Sequence, residues 1–542
     1  MLNGAQAMVK CLEAEGIKTI FGYPGVAITP FYEGIYDSKI EHILVRQEQA
    51  AGNAASGYAR ISRKPAVCVT TSGPGATNVI TALATAYADS IPIIVITGQV
   101  KRELLGRDVF QEADITGATK SFTKYRYLVS SADDIPRVFK EAFYIASTGR
   151  KGPVLIDVPQ DVQEELMTKE FDYDSIKVSI RGYKPPSRKG NKQQIKKVVE
   201  AINRAKRPLL CVGGGVILGN AEKEVQAFCE AKRIPLVNTM MGIGVMPKAH
   251  PMYFGMLGNN GKPYANRAVN RADLLIIAGA RVADRAIPKP TQLEGELNII
   301  HIDIDSAEIG KNLGPTIPLV GDVKEVFAQL TKEKIDIDTT GWIGELESLK
   351  HSTVDKRVFS ERLVNPNLLV QTLCEHMDDD AIYIADVGQN QLWSADNYIM
   401  KNGRFMTTGG MGTMGYSIAA AIGAKSCKPD KQVVAVCGDG SFQMVFPELA
   451  TARVNSIQLK VVVVNNQTLG LVREYQKNRY EKHYIGTTIY DYPHYKDIAA
   501  AYDMEYYEVD SNDQLEENVE KFLKSDDSSL MLVKVDQDNW TK

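Results

Sequence analysis

Between Gly438 and Asn466 the chain reads GDGSFQMVFPELATARVNSIQLKVVVVNN, and this stretch limits the fold more tightly than any other. Gly438-Asp439-Gly440 follow the apolar run Val433–Cys437, and Asn465-Asn466 end a second run, Leu459–Val464, with a helix-like pattern between them. Short apolar runs bounded by turn residues read as buried strands of a parallel sheet. The span is then a strand–loop–helix–strand unit that sets Asp439 and Asn466 at the carboxyl ends of adjacent strands, where open α/β sheets bind ligands. Glycines on either side of Asp439 let the backbone approach a phosphate, and the start of the next helix favours anions. A carboxylate, an amide oxygen and a backbone carbonyl just beyond Asn466 are oxygen ligands suited to a Mg²⁺ ion that also binds phosphate. A GDG alone is an ordinary strand end and turn. The Asn pair closing the next strand is what makes a metal–diphosphate site the expectation.

At 542 residues the chain is too long for one core and implies about three domains. Its 44% apolar and 24% charged residues describe a globular protein, and a net charge of −3 gives no electrostatic reason to expect nucleic acid or an anionic membrane as partner. Seven scattered cysteines, never in a CxxC pair, point to reduced, mostly buried thiols in the cytoplasm rather than to disulfides or a zinc site. The start MLNGAQAMVKCLEAEG is an amphipathic helix pattern rather than a signal peptide, and no apolar run nears the roughly 18 residues that span a bilayer.

Strand-like runs fall into three groups. The first holds Thr19–Phe21, His42–Val45, Ala66–Thr70, Ile93–Ile96 and Val154–Val158, and a basic, proline-containing linker follows from Arg181. The second holds Pro208–Val212, Pro235–Asn238, Leu274–Ala278 and Asn298–Ile304; a polar stretch over 336–362 crosses to the third, with Ala381–Ala385, Gln432–Cys437, Lys460–Val464 and Met531–Val535. Three successive parallel-sheet α/β domains are expected, over residues 1–165, 190–335 and 365–542.

The GDG…NN spacing resembles the thiamine diphosphate motif, and the first segment resembles the pyrimidine-binding domain of thiamine diphosphate enzymes through FGYPG (Phe21–Gly25), RQEQAAGNAASGYAR (Arg46–Arg60) and TSGPGATN (Thr71–Asn78). Glu48 lies just beyond a strand, at the opening of an Ala/Gly-rich helix. Thiamine chemistry needs a carboxyl group that shares a proton with the aminopyrimidine ring, so that the exocyclic amine can remove the thiazolium C2 proton. Apolar surroundings make such sharing feasible near neutral pH.

Six further runs extend the match over nearly the whole chain: GRDVFQEADITG (Gly106–Gly117), GPVLIDVPQDVQ (Gly152–Gln163), GMLG (Gly255–Gly258), GARVADR (Gly279–Arg285), TGGMGTMGYSIAAAIGA (Thr408–Ala424) and GLVREYQ (Gly470–Gln476). Together they resemble the acetohydroxyacid (acetolactate) synthase large subunit. In that family pyruvate adds to thiamine diphosphate and loses CO₂, and the hydroxyethyl carbanion attacks a second pyruvate or 2-oxobutyrate, a step of branched-chain amino acid biosynthesis. The resemblance implies Glu48 as cofactor activator, with Phe110 and Gln111 reaching the active site of a neighbouring subunit. It implies cofactor contacts at Tyr23, Pro24, Gly25, Thr71, Pro74 and Asn78 on one side, and at Val387, Gly388, Gln389, Gly412, Gly438, Gly440, Ser441, Leu469 and Gly470 on the other. Met414 becomes the apolar prop that bends the cofactor, and Asp439, Asn466 and the Thr468 carbonyl become the Mg²⁺ ligands. Arg285 matches the arginine that pairs with the carboxylate of the second 2-oxo acid, a role that a bidentate, always-charged guanidinium suits.

The family also holds FAD in its central domain, without a net redox role. Gly213-Gly214-Gly215 end one strand here and Gly279–Arg285 end another, so two backbone-rich loops face one sheet edge. Arg150, Met240, Met241, Leu257, Gly258, Arg281, Asp284, Asp303, Ile304, Asp322 and Val323 fall on matching positions. A homo-oligomer, a dimer at least or a tetramer, is implied, and a small regulatory subunit is a further partner.

Several residues depart from the family's pattern. Val26 replaces the second glycine of GYPGG and narrows the cofactor side; Gln160 replaces a lysine, as in FAD-free catabolic members. Asn259-Asn260 replace a Met and a His, and Tyr475 replaces the tryptophan that favours 2-oxobutyrate as acceptor. The family's C-terminal tail that closes over the site has no counterpart before Lys542. Three other readings stay open: a related carboligase or 2-oxo acid lyase with another acceptor, a pyruvate oxidase-like flavoenzyme, and a non-catalytic protein that kept the fold. A nicotinamide dehydrogenase is disfavoured, because no strand is followed by GxGxxG with an acidic residue about 20 positions on.

Overall fold

A computed structural model describes residues 1–287, 297–314, 316–353, 357–490 and 492–541. It contains three six-stranded parallel sheets in succession, each flanked by helices. The first runs β2-β1-β3-β4-β6-β5, from β1 (Thr19–Tyr23), β2 (Glu41–Leu44), β3 (Ala66–Thr70), β4 (Ile93–Gln99), β5 (Tyr125–Leu128) and β6 (Val154–Pro159). The second runs β12-β11-β10-β7-β8-β9, from β7 (Pro208–Val212), β8 (Leu236–Asn238), β9 (Tyr253–Met256), β10 (Leu274–Ala278), β11 (Asn298–Asp303) and β12 (Ile317–Val320). The third runs β14-β13-β15-β16-β18-β17, from β13 (Ile382–Ala385), β14 (Arg404–Met406), β15 (Val433–Gly438), β16 (Lys460–Asn465), β17 (Glu505–Val509) and β18 (Ser529–Lys534).

In each sheet the strand order reverses beside a central strand: between β1 and β3, between β7 and β10, and between β13 and β15. Loops leaving the two strands at such a point diverge and open a crevice at their carboxyl ends. The residues singled out from sequence, FGYPG with TSGPG, GGG with GAR, and Val387-Gly388-Gln389 with GDG, occupy these three positions.

The small residues of AAGNAASGYAR and SIAAAIGA have a packing role. Helix Glu48–Ser62 of the first segment lies against helix Ser417–Cys427 of the third, and both feed one shared core. The backbones approach so closely that a Cβ on Gly57 would fall 2.1 Å from Ala420 O, and one on Gly423 would fall 1.8 Å from Ala54 O. Gly423→Ala is therefore expected to destabilise the fold by about 1–3 kcal/mol or more through overpacking. Gly344→Ala, in a helix where an added Cβ meets nothing within 4 Å, should instead stabilise by up to about 1 kcal/mol. Melting temperatures of the two variants check this, and a Gly423→Ala protein as stable as wild type would contradict the packing.

The polar stretch over 336–362 is not simply a connection. It holds helix Thr340–Ser352, whose Trp342, Ile343, Leu346 and Leu349 are buried in the central core; residues 354–356 of the stretch lie outside the described residues. Among the described residues, no helix is long and apolar enough to cross a membrane, and all seven cysteines are free.

Candidate functional site

β15 passes straight into helix Asp439–Val445, with Gly438 as its cap and Asp439 as its first residue, so the expected loop is absent. A second short helix, Glu448–Val454, follows Pro447, which breaks the helical run before β16. β15 and β16 pair in parallel with Gly438 opposite Val464, and this sets Asp439 beside the turn that starts at Asn466. Asp439 is 2% exposed; its Oδ1 accepts the Gly440 N–H at 2.8 Å, and its buried Oδ2 has no hydrogen-bond partner. Burial pushes this carboxyl up to about 6, against the pull of nearby backbone N–H groups at 440 and 466–468. A buried carboxylate oxygen without a donor is costly unless a cation meets it.

The rest of the oxygen set surrounds it. Asn466 Oδ1 accepts the Thr468 N–H at 3.2 Å, and Thr468 is pinned through its hydroxyl to Thr487 O at 2.8 Å. An added Cβ on Gly438 would find only Val464 O, 4.0 Å away, so the space over this residue is open. One on Gly440 would meet Leu469 and Ile489 at 2.9 Å and Met414 Cε at 3.4 Å, so Met414 stands over the same turn. Among the described residues no group of three or more His, Cys, Asp or Glu is arranged to hold a metal, so a metal here relies on mixed carboxylate, amide and carbonyl oxygens.

The neighbouring loop after β13 is shaped for close approach. Gly388 has φ +135°, a conformation that glycine alone adopts readily. Gln389 begins the next helix, but its side chain is committed: Oε1 accepts Asn466 Nδ2 at 2.9 Å, and Nε2 donates to Glu474 Oε2 and Asn539 O at 3.2 Å. Gly470 makes room for this side chain, since a Cβ there would lie 1.9 Å from Gln389 Oε1. Ser441 Oγ donates to Val387 O at 3.3 Å, and Val387 lies 3.9 Å from the Cβ position of Gly412, a glycine with φ +65°.

On the first sheet, Tyr23-Pro24-Gly25 leave β1 and Thr71 leaves β3; a Cβ on Gly25 would lie 2.6 Å from the Thr71 side chain. Glu48 opens its helix behind the Gln47 cap, and its Oε2 accepts Asn78 Nδ2 at 3.0 Å. The Cβ position of Gly75, next to Pro74 in helix Pro74–Asn78, lies 3.4 Å from Glu48 Oε1. Glu48 is partly exposed, so its own chain does not build the apolar enclosure expected around it. Gln111 has φ +60° and packs its backbone 2.9 Å from the Cβ position of Gly73, whereas Phe110 beside it is 87% exposed. Val26 is 73% exposed, and Tyr475 points from helix Gly470–Arg479 with a ring contact only to Tyr480 among the aromatic residues described.

The central sheet collects its candidates along one edge. A Cβ on Gly213 would fall 2.5 Å from Gly279 O, and one on Gly215 would fall 2.7 Å from Gly279 Cα, so these glycines serve loop-to-loop packing and leave Gly214 facing Met241. Met240 and Met241 open the turn after β8, Leu257 and Gly258 follow β9, and Ile304 follows β11. Asn238, which ends β8, has a buried Oδ1 without a partner. Asp303 is pushed up to about 6 by burial, and Asp322 caps the helix that Val323 begins. Arg150 is engaged by Glu308 at 2.8 Å and Asp305 at 3.5 Å. Arg281, Asp284 and Arg285 share the loop after β10, where Arg285 is 77% exposed on its side chain and its carbonyl accepts the Asn259 N–H at 2.8 Å.

Several buried acids that hold these loops gave no signal in the sequence. Asp386 accepts the N–H groups of Val387, Gly415 and Ser417 at 2.8–3.0 Å, fixing the turn behind Met414. Asp89 pairs with the buried Arg60 at 2.7 Å and accepts Gly410 N–H at 2.8 Å, tying the first segment to the loop that leads to Met414. Each is a single acid in an unremarkable local context, and only the fold supplies its partners.

Thiamine pyrophosphate enzyme domains match the chain in the same order as the three sheets: the N-terminal TPP binding domain over residues 2–118, the central domain over 195–330 and the C-terminal TPP binding domain over 386–534. The probable acetolactate synthase large subunit of Methanocaldococcus jannaschii is 41% identical, over 99% of this chain and 92% of its own length. The acetolactate synthase large subunit of Corynebacterium glutamicum is 43% identical over 90% of this chain and 79% of its own. That of Lactococcus lactis is 38% identical over 98% and 92%.

Proposed function

Since the chain belongs to the acetolactate synthase large-subunit family of thiamine pyrophosphate enzymes, we propose that it decarboxylates pyruvate and joins the two-carbon fragment to a second 2-oxo acid. The observation that supports this most is Asp439, a buried carboxylate with an orphan oxygen at the switch point of the third sheet. When bound there, thiamine diphosphate supplies the electron sink for loss of CO₂. Asp439, Asn466 and the Thr468 carbonyl would hold Mg²⁺, and the open backbone at Gly438 and Gly388 would receive the diphosphate. Glu48 would share a proton with the pyrimidine ring while Asn78 fixes the orientation of its carboxylate.

The Glu48 half lies on the first sheet and the Asp439 half on the third, and large apolar side chains of both segments, Val26 and Phe110 in the first and Met411 and Met444 in the third, are exposed. Exposed apolar groups in both segments favour a protein partner, and we assign that partner as a second copy of the chain, in a dimer or tetramer. FAD is assigned to the edge of the central sheet, supported by the convergence of loops at its switch point and by the orphan Asn238 Oδ1. The visible absorbance of the purified protein tests this directly. A small regulatory subunit is a further partner, on the strength of the relatives' designation as large subunits, and seven free cysteines fit a cytoplasmic location.

Acceptor choice follows from the residues that depart from the family's pattern. A smaller aromatic at Tyr475 loses part of the contact that selects one extra methylene, a preference of only about 1–3 kcal/mol. Pyruvate is thus the expected acceptor, with 2-oxobutyrate used no better in competition. Tyr475→Trp should raise the proportion of acetohydroxybutyrate, and a wild-type enzyme already strongly selective for 2-oxobutyrate would refute this role.

A further inference from the structure

Glu448 is the first residue of helix Glu448–Val454 in the third segment and is 2% exposed. Its carboxylate leaves its own domain. Oε1 accepts the backbone N–H of Arg46 at 2.9 Å, across 402 residues of sequence, and the Gln47 N–H also faces it. Oε2 accepts the Thr451 hydroxyl at 2.7 Å, and Thr451 Oγ also lies 3.3 Å from Leu44 O. Together Glu448 and Thr451 clasp the end of the edge strand β2 and the two residues just before Glu48. Gln47 is in turn the cap of the helix that Glu48 opens, its side chain accepting the Ala50 N–H at 3.2 Å.

An acid at a helix start is common, because the helix dipole favours it. That preference is satisfied in water, however, and does not account for burying a carboxylate against two backbone N–H groups of another domain. Charge-assisted hydrogen bonds to main-chain N–H groups are strong and directional, and these two end where Glu48 begins. We propose that Glu448 is a positioning residue: it fixes the 44–47 turn so that the Glu48 carboxyl is presented in one orientation. The inference rests on the reading of Glu48 as the group that activates the cofactor.

Glu448→Gln keeps the size but cannot accept from both N–H groups and the hydroxyl with the same strength, and Glu448→Asp keeps the charge on a shorter arm. In the cofactor-free protein, amide hydrogen exchange over residues 44–50 should quicken about tenfold in E448Q, less in E448D, and stay unchanged over residues 74–80. In the holoenzyme, E448Q should lose about 10- to 100-fold in kcat, as misorientation of a reacting group does, with KM for pyruvate within about twofold. E448D should recover part of this loss. Combined with E48Q, the E448Q change should add almost nothing, since a positioning residue has no effect once the group it positions is gone. Unchanged exchange over 44–50, or an E448Q loss that multiplies undiminished onto E48Q, would overturn the proposal. An E48Q enzyme of near-native kcat would instead remove the reading of Glu48 itself, which is separable because it needs no substitution at Glu448.

Discussion

Glu48→Gln is expected to lower turnover by about 10²–10⁴-fold at saturating thiamine diphosphate, with the fold retained, because it removes a proton-sharing group and keeps its shape. The geometry makes the substitution clean. An amide at this position can still receive the Asn78 Nδ2 hydrogen bond, 3.0 Å long in the native protein, and it remains the first residue of a helix capped by Gln47. Cofactor affinity should change far less than kcat. Steady-state rates together with a melting curve are the measurement. Near-native activity would remove Glu48 from the chemistry.

Asp439→Ala should fail differently, through retention of the cofactor. The Asp439 Oδ2 has no partner of its own, and a neutral methyl group deletes one of three protein oxygens assigned to the metal. Activity should be regained only at raised Mg²⁺ and thiamine diphosphate, if at all, and an unchanged requirement for both would show that the turn after β15 holds no metal. The two variants also test the assembly. If the Glu48 half of one chain completes the Asp439 half of another, mixing the two inactive proteins restores part of the activity after subunit exchange, and a fully active monomer would contradict it.

Which parts of this were legible in the sequence follows a physical rule. Three strands, β3, β7 and β10, fall on the residues that sequence alone assigns, and other central strands differ only at their ends. A strand buried on both faces is a continuous apolar run bounded by turn residues, and such runs stand out. The five strands that sequence reading passes over, β5, β9, β12, β14 and β17, all lie at sheet edges. β5 (YRYL) and β17 (EYYEV) are only partly buried, and β14 is three residues long, so none carries an apolar run to detect. In the same way, Glu48, Asp439 and Asn466 stand out because glycine and small-residue patterns flank them. Asp89, Asp386 and Glu448 do not, since each acts on backbone N–H groups far away in sequence. The Gly-rich central motif is legible too, and there Gly213 and Gly215 also make room for Gly279.

The most direct test of the function is product analysis with pyruvate alone, in the presence of Mg²⁺ and thiamine diphosphate, with dissolved oxygen followed in parallel. Acetolactate and CO₂ formed in equal amounts, dependent on both cofactors and without peroxide, is the expected result. Pyruvate consumed with peroxide formation, or left unconsumed, would contradict a carboligating synthase.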